Sequence, residues 1–109
     1  MTTLQSRLSS LTDPDADAAE QIRDSLLSEL DILDDWRVAE TDVEIAQDGT
    51  RDWFLLGFEH RSSPEKRASV FLLAGSHTLQ VHVESLETDE WGEPTQEPAK
   101  IMAILRSCA

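Results

Sequence analysis

Residues 67–84 read RASVFLLAGSHTLQVHVE, and this stretch decides the fold. Apolar side chains stand at every second position, at Ala68, Val70 and Leu72 before Gly75 and at Leu79, Val81 and Val83 after Ser76, which is typical of two half-buried antiparallel strands. Glycine at the first central position favours a type II′ turn, and that turn aligns Leu72 with Leu79. The same register pairs Val70 with Val81, Ala68 with Val83, Phe71 with Gln80, Ser69 with His82, and Arg67 with Glu84 as a cross-strand ion pair.

Another hairpin is predicted N-terminal to residues 67–84. Residues 39–45 alternate in polarity, as a half-buried strand does, and residues 52–60 form the next strand. Asp48-Gly49 between them is a strong signal for a two-residue hairpin loop. With that loop, the register pairs Val43 with Phe54, Thr41 with Leu56 and Ala39 with Phe58.

Helices are predicted on either side of the four strands. An apolar stripe at helical spacing indicates a helix over residues 14–34, with Pro14 at its first position and Thr12 or Asp13 as its cap. A shorter stripe predicts a helix near 98–107, and residues 2–11 suit a short helix. The predicted fold class is α+β: a four-stranded antiparallel meander sheet with the long N-terminal helix and the C-terminal helix on one face, an α–β–β–β–β–α two-layer sandwich.

The size and charge of the chain narrow the range of functions. Its 109 residues predict one domain, 1–109, with a short helical arm at 1–12 and an α+β core at 13–109. Twenty-two acids against nine bases give a net charge of −13, which opposes direct binding to nucleic acid or to an anionic membrane. No apolar run approaches the ~18 residues of a membrane span. The single cysteine, Cys108, and the lack of a signal-peptide pattern favour the cytoplasm.

A protein partner is the predicted ligand. If helices cover one sheet face, the second face presents an apolar patch large enough to mark an interaction site. An acidic segment around Trp91 adds an aromatic anchor for a basic partner surface. The short N-terminal helix or a second copy in a homodimer would also cover the patch. The predicted partner-binding residues are Trp53, Leu55, Phe71 and Leu73 on the sheet, with Trp91, Glu87, Asp89, Glu90 and Glu93 in the acidic segment.

Other functions have weaker sequence support. Asp31, Asp34 and Asp35 crowd the end of the long helix, where the helix dipole disfavours acids, so they are candidate calcium ligands. The acids could also mimic the charge of nucleic acid and inhibit a basic protein. No catalytic, phosphate-binding or zinc motif is recognised, so we expect no enzyme and no cofactor. Adaptor, chaperone, immunity and inhibitor proteins share this profile of a small acidic interaction module.

Overall fold

The computed structural model describes residues 4–11, 15–30 and 35–108. These residues form an α+β domain of three helices and one six-stranded antiparallel sheet, which confirms the predicted fold class. The elements in chain order are α1 (Leu4–Ser9), α2 (Ala16–Glu29), β1 (Trp36–Glu40), β2 (Glu44–Ile45), β3 (Trp53–His60), β4 (Arg67–Leu73), β5 (Thr78–Glu84), β6 (Asp89–Trp91) and α3 (Pro98–Ser107). The helices of this described part are too short or too polar to cross a membrane.

The sheet has the order β1-β3-β4-β5-β6, and β2 also pairs with β3. It is therefore a meander, as predicted, but with two more strands than expected. The predicted first strand is divided into β1 and β2. β6 lies within residues 87–97, a stretch rich in acidic residues whose composition predicts a loop. Its three residues pair with the end of β5 and extend the sheet by one edge strand.

The loop between β2 and β3 is longer than the sequence predicts. Ala46 N donates a hydrogen bond to Asp52 O at 2.8 Å, so five residues form the turn instead of two. Asp48 Oδ1 accepts hydrogen bonds from Thr50 Oγ1 at 2.6 Å and Thr50 N at 3.1 Å, and these bonds lower the pKa of the Asp48 carboxyl. The Asp48 side chain thus organises a wider turn, and Glu44 takes the predicted place of Val43 opposite Phe54.

The hairpin of β4 and β5 has the register that its sequence predicts, from Arg67 opposite Glu84 to Leu72 opposite Leu79. Its turn is different. Among the described glycines only Gly49 has a positive φ, so Gly75 does not form a type II′ turn. Instead His77, with φ 55°, closes a four-residue loop by donating its N–H to Leu73 O at 2.9 Å.

The long helix is shorter than predicted. α2 begins after Asp15, whose side chain accepts the Ala18 N–H at 2.9 Å, and it ends at Glu29 because Leu30 has an extended ψ of 134°. The predicted capping residues Thr12, Asp13 and Pro14 lie outside the described residues. α3 begins at Pro98, as predicted.

One face of the sheet and the three helices enclose the hydrophobic core. Within the core, a buried hydrogen bond of 2.8 Å from Trp36 Nε1 to Leu105 O connects β1 with α3. Both Leu4 and Leu8 of α1 lie in this core. Its other buried side chains are Ala19, Ile22, Leu26, Trp53, Leu55, Leu56, Phe58, Ala68, Val70, Leu72, Leu79, Val81, Val83 and Ile101.

Candidate interaction surface

The sheet face opposite the core, here called the open face, is the candidate site. Helix α1 packs against α2 with its leucines in the core, so of the alternatives for the second sheet face, cover by this helix is wrong. The strand register sets three rows of side chains across the open face. The rows are Phe54, Phe71 and Gln80; Glu40, Gly57, Ser69, His82 and Trp91; and Arg37, Glu59, Arg67, Glu84 and Asp89.

Four aromatic rings form a continuous chain on the open face. The rings of Phe54 and Phe71 meet edge-to-face, with centroids 5.9 Å apart and planes inclined by 73°. Phe71 in turn lies 5.9 Å from the Trp91 ring, which stacks on His82 at 4.1 Å and 13°. Trp91, which contacts both Phe71 and His82, is 56% exposed, whereas Phe54, Phe71 and His82 are half-buried. The open face thus carries a connected aromatic surface with a tryptophan at its edge.

A β-bulge explains why Phe54 is part of this chain. The pairing of β3 with β4 shifts between Phe54 and Leu56, so Trp53 aligns with the core residue Leu72. Trp53 is only 9% exposed and Leu55 is fully buried. The prediction that Trp53 and Leu55 lie on the second face is therefore wrong, and Phe54 takes their place.

The other two predicted sheet residues keep their status as surface candidates. Phe71 lies on the open face, and Leu73 is half-buried at the end of β4 opposite Thr78. The sequence carries no distinct signal of the bulge: residues 53–56 are four bulky apolar residues in succession, but so are residues 70–73, which pair with β5 without a shift.

Strand β6 positions the exposed tryptophan. The β5–β6 connection is closed by hydrogen bonds between Ser85 and Thr88, including Ser85 N to Thr88 O at 2.8 Å. The Asp89 carboxylate bonds to His82 Nε2, which fixes the imidazole beneath Trp91.

The residue that follows Trp91 allows this strand to approach α3. At Gly92, an added Cβ would lie 2.6 Å from Ile104 Cδ1, so the end of the Ile104 side chain would have to move to admit a larger residue there. Between Trp91 and α3 lies a pocket of about 420 Å³ whose walls include Pro94, Ala103 and Ile104.

Charges alternate along the outer row of the open face. Arg37 bonds to Glu59 with an Nη2–Oε1 distance of 2.7 Å. Arg67 follows Glu59 in the row, then Glu84 and Asp89. The predicted ion pair between Arg67 and Glu84 is wrong: the two residues are opposite each other, but within the described ranges Arg67 has no acidic group within 4.0 Å.

A groove of about 280 Å³ lies on the open face above Gly57. Phe54 borders it on one side, and Glu40, Glu59, Arg67 and Glu84 border it elsewhere. This groove is a feature that sequence reasoning missed, because it depends on which face Gly57 and Phe54 share.

The acidic residues predicted around Trp91 are all exposed. They are Glu87, Asp89, Glu90 and Glu93. Glu90 Oε2 accepts a hydrogen bond from Cys108 Sγ at 3.4 Å, and burial, followed by this carboxylate, raises the pKa of the Cys108 thiol. The acidic segment is therefore attached to the end of α3 as well as to β5.

The predicted calcium ligands are only partly within the described part of the chain. Asp31 and Asp34 lie outside it. Asp35 is exposed, and its carbonyl accepts the Arg61 N–H at 2.8 Å. In residues 4–11, 15–30 and 35–108, no three His, Cys, Asp or Glu side chains are grouped to hold a metal ion. The calcium site stays a prediction.

Comparison with protein-family models, with curated proteins and with solved structures gave no match. The chemistry of the open face therefore carries the functional assignment.

Proposed function

We propose that this protein is a non-enzymatic interaction module that binds another protein through the open face. The observation that supports this most is the series of four contacting aromatic rings on a sheet face that no described helix covers, in which Trp91 on the edge strand β6 is 56% exposed. An exposed tryptophan is the side chain most often responsible for binding energy at protein interfaces.

The shape and size of this surface favour a protein over a small molecule. The rings extend across three adjacent strands, β3, β4 and β5, and reach the edge strand β6. Connected apolar surface on that scale is typical of protein docking sites. The charged row beside the rings supplies the polar rim that such sites commonly have.

The charge of the chain favours a basic partner. Each copy carries a net charge of −13, so two copies repel each other and a basic protein is attracted. A homodimer through the open face is therefore the second outcome in our proposal. The lone thiol of Cys108 suits a reducing compartment, and we place the interaction in the cytoplasm.

Mimicry of nucleic acid is less well supported. It requires a continuous ridge of carboxylates, whereas the outer row of the open face alternates Arg37, Glu59, Arg67 and Glu84. The alternation of sign gives a local charge pattern that a protein surface can match.

Affinity capture from host lysate with the wild-type chain and two variants tests the proposal. We expect Trp91→Ala and Phe71→Asp to lose the captured partner, or to weaken its binding at least tenfold. Leu86→Ala is the matched control, because Leu86 is 87% exposed but lies outside the aromatic chain. Sedimentation equilibrium of the same proteins separates a homodimer from a heteromeric complex. If neither open-face substitution changes the captured proteins or the mass measured by sedimentation equilibrium, the proposal is refuted.

A further inference from the structure

We infer that the groove above Gly57 receives the side chain of a lysine or arginine of the bound protein. This inference rests on the proposed function and specifies the chemistry of one partner residue. It also defines a position on the open face that is separate from the Trp91 anchor.

Gly57 contributes to the floor of the groove, and the Phe54 ring and the Glu40 stem lie close above it. Glu40 is opposite Gly57 on one side and Ser69 on the other. A Cβ added to Gly57 would lie 3.2 Å from Glu40 Cβ and 3.2 Å from Phe54 Cζ. The Phe54 ring and the Glu40 stem therefore form walls directly above the glycine.

The charges around the groove favour a cation. Three carboxylates border it, those of Glu40, Glu59 and Glu84, against the single guanidinium of Arg67. Arg37 bonds to Glu59 but is not part of the lining, so one carboxylate is already shared. The surplus negative charge attracts a cationic head, and the aromatic ring of Phe54 provides a surface for its aliphatic stem or for cation–π contact.

The volume of the groove suits one side chain. At about 280 Å³ it lies just below the roughly 300–1,000 Å³ that small-molecule pockets occupy. In an extended protein segment, side chains two residues apart lie about 6–7 Å apart on the same face. A basic residue in the groove therefore allows an apolar residue two positions away to contact the adjacent row, where Phe71 lies.

A titration of ¹⁵N-labelled protein followed by NMR tests the inference. The probes are N-acetyl-arginine amide, N-acetyl-lysine amide, the uncharged N-acetyl-norleucine amide and the anionic N-acetyl-glutamate amide. We expect the two cationic probes to shift the amide resonances of Gly57, Phe54 and Ser69, with little effect of the other two. The peptide acetyl-Arg-Gly-Leu-amide should bind at least threefold more tightly than the arginine amide, because its leucine contacts the Phe71 row. If the peptide and the arginine amide bind with equal affinity, the inference that the groove receives a side chain of a bound protein is overturned.

Variants identify the groups responsible. Glu40→Gln and Glu84→Gln should each weaken arginine-amide binding about threefold or more. Glu20→Gln, at an exposed position on α2, should not change it. Gly57→Ala should weaken binding by pushing the Phe54 ring into the groove. No shift at Gly57 with either cation, or stronger shifts with the glutamate amide at Arg67, would overturn the inference. Partner capture by Trp91→Ala reports separately on the proposed function, since Trp91 does not border this groove.

Discussion

The indole of Trp91 lies parallel to the imidazole of His82, with ring centroids 4.1 Å apart and planes inclined by 13°. The two residues are direct partners across β5 and β6, and Asp89 bonds to the same imidazole. A short edge strand of three residues has few backbone bonds of its own. The stack therefore stabilises β6, and with it the exposed anchor of the proposed interface.

A double-mutant cycle measures this stack. We expect Trp91→Ala and His82→Ala to be coupled by about 0.5–1.5 kcal/mol in the free energy of unfolding, as other aromatic pairs are. Urea denaturation of the wild type, the two single variants and the double variant gives the coupling. Asp89→Asn in the His82→Ala background is the control for the hydrogen bond. Effects that add to within about 0.3 kcal/mol would mean that the rings do not stabilise each other.

The buried hydrogen bond between Trp36 Nε1 and Leu105 O leads to a second prediction. Trp36→Phe keeps an aromatic ring in the core but leaves the carbonyl without its donor. We expect a loss of about 1–3 kcal/mol in the free energy of unfolding. Trp91→Phe is the same chemical change at an exposed site and should cost less than about 0.5 kcal/mol. Equal losses for the two variants in urea denaturation would contradict this role of the bond.

The close approach of Gly92 to α3 can be tested by rescue. Gly92→Ala places a Cβ 2.6 Å from Ile104 Cδ1, the end of a flexible, half-buried side chain, so we expect a loss at the lower end of the about 1–3 kcal/mol that overpacking costs. Ile104→Val removes that Cδ1. We therefore expect the double variant to be more stable in urea than Gly92→Ala alone. A double variant that is less stable than both single variants would show that the contact does not limit residue 92.

The raised pKa of the Cys108 thiol predicts its reactivity. Burial disfavours the thiolate, so alkylation by iodoacetamide should need a higher pH in the folded protein than in urea. Because the folded-state pKa is the higher one, the associated stability is present below the ordinary thiol pKa and is lost as the pH rises through the folded-state pKa.

Glu90→Gln tests the second cause of this shift. The variant removes the carboxylate that accepts the Sγ–H bond, so its alkylation profile should move to lower pH. Coincident profiles for the folded and unfolded wild type would contradict the predicted shift.

The sequence predicts the hairpin of β4 and β5 residue by residue, because its turn signal gives a register that pairs Ala68, Val70 and Leu72 with Val83, Val81 and Leu79. The same logic fails at β3. Residues 53–56 are all apolar, so their pattern does not reveal where the alternation slips, and only the fold shows that Phe54 points away from the core. The rest of the candidate site follows from that slip, since Phe54 forms a wall of the groove above Gly57.

Two local features were also beyond sequence reasoning. β6 consists of Asp89, Glu90 and Trp91, whose charges indicate a loop, and it forms a strand because its backbone groups complete the edge of β5. The positive φ in the β4–β5 turn falls on His77, although glycine adopts it more readily and Gly75 is two residues away. At β6, backbone pairing with β5 outweighs the local preference for a loop.

The hydrogen bond from Trp36 to Leu105 joins residues that are 69 positions apart in the chain. During synthesis at about 5–20 residues per second, Trp36 leaves the ribosome several seconds before the acceptor carbonyl exists. During that interval the indole N–H of Trp36 bonds to water instead. The connection between β1 and α3 is therefore completed only after α3 has been made.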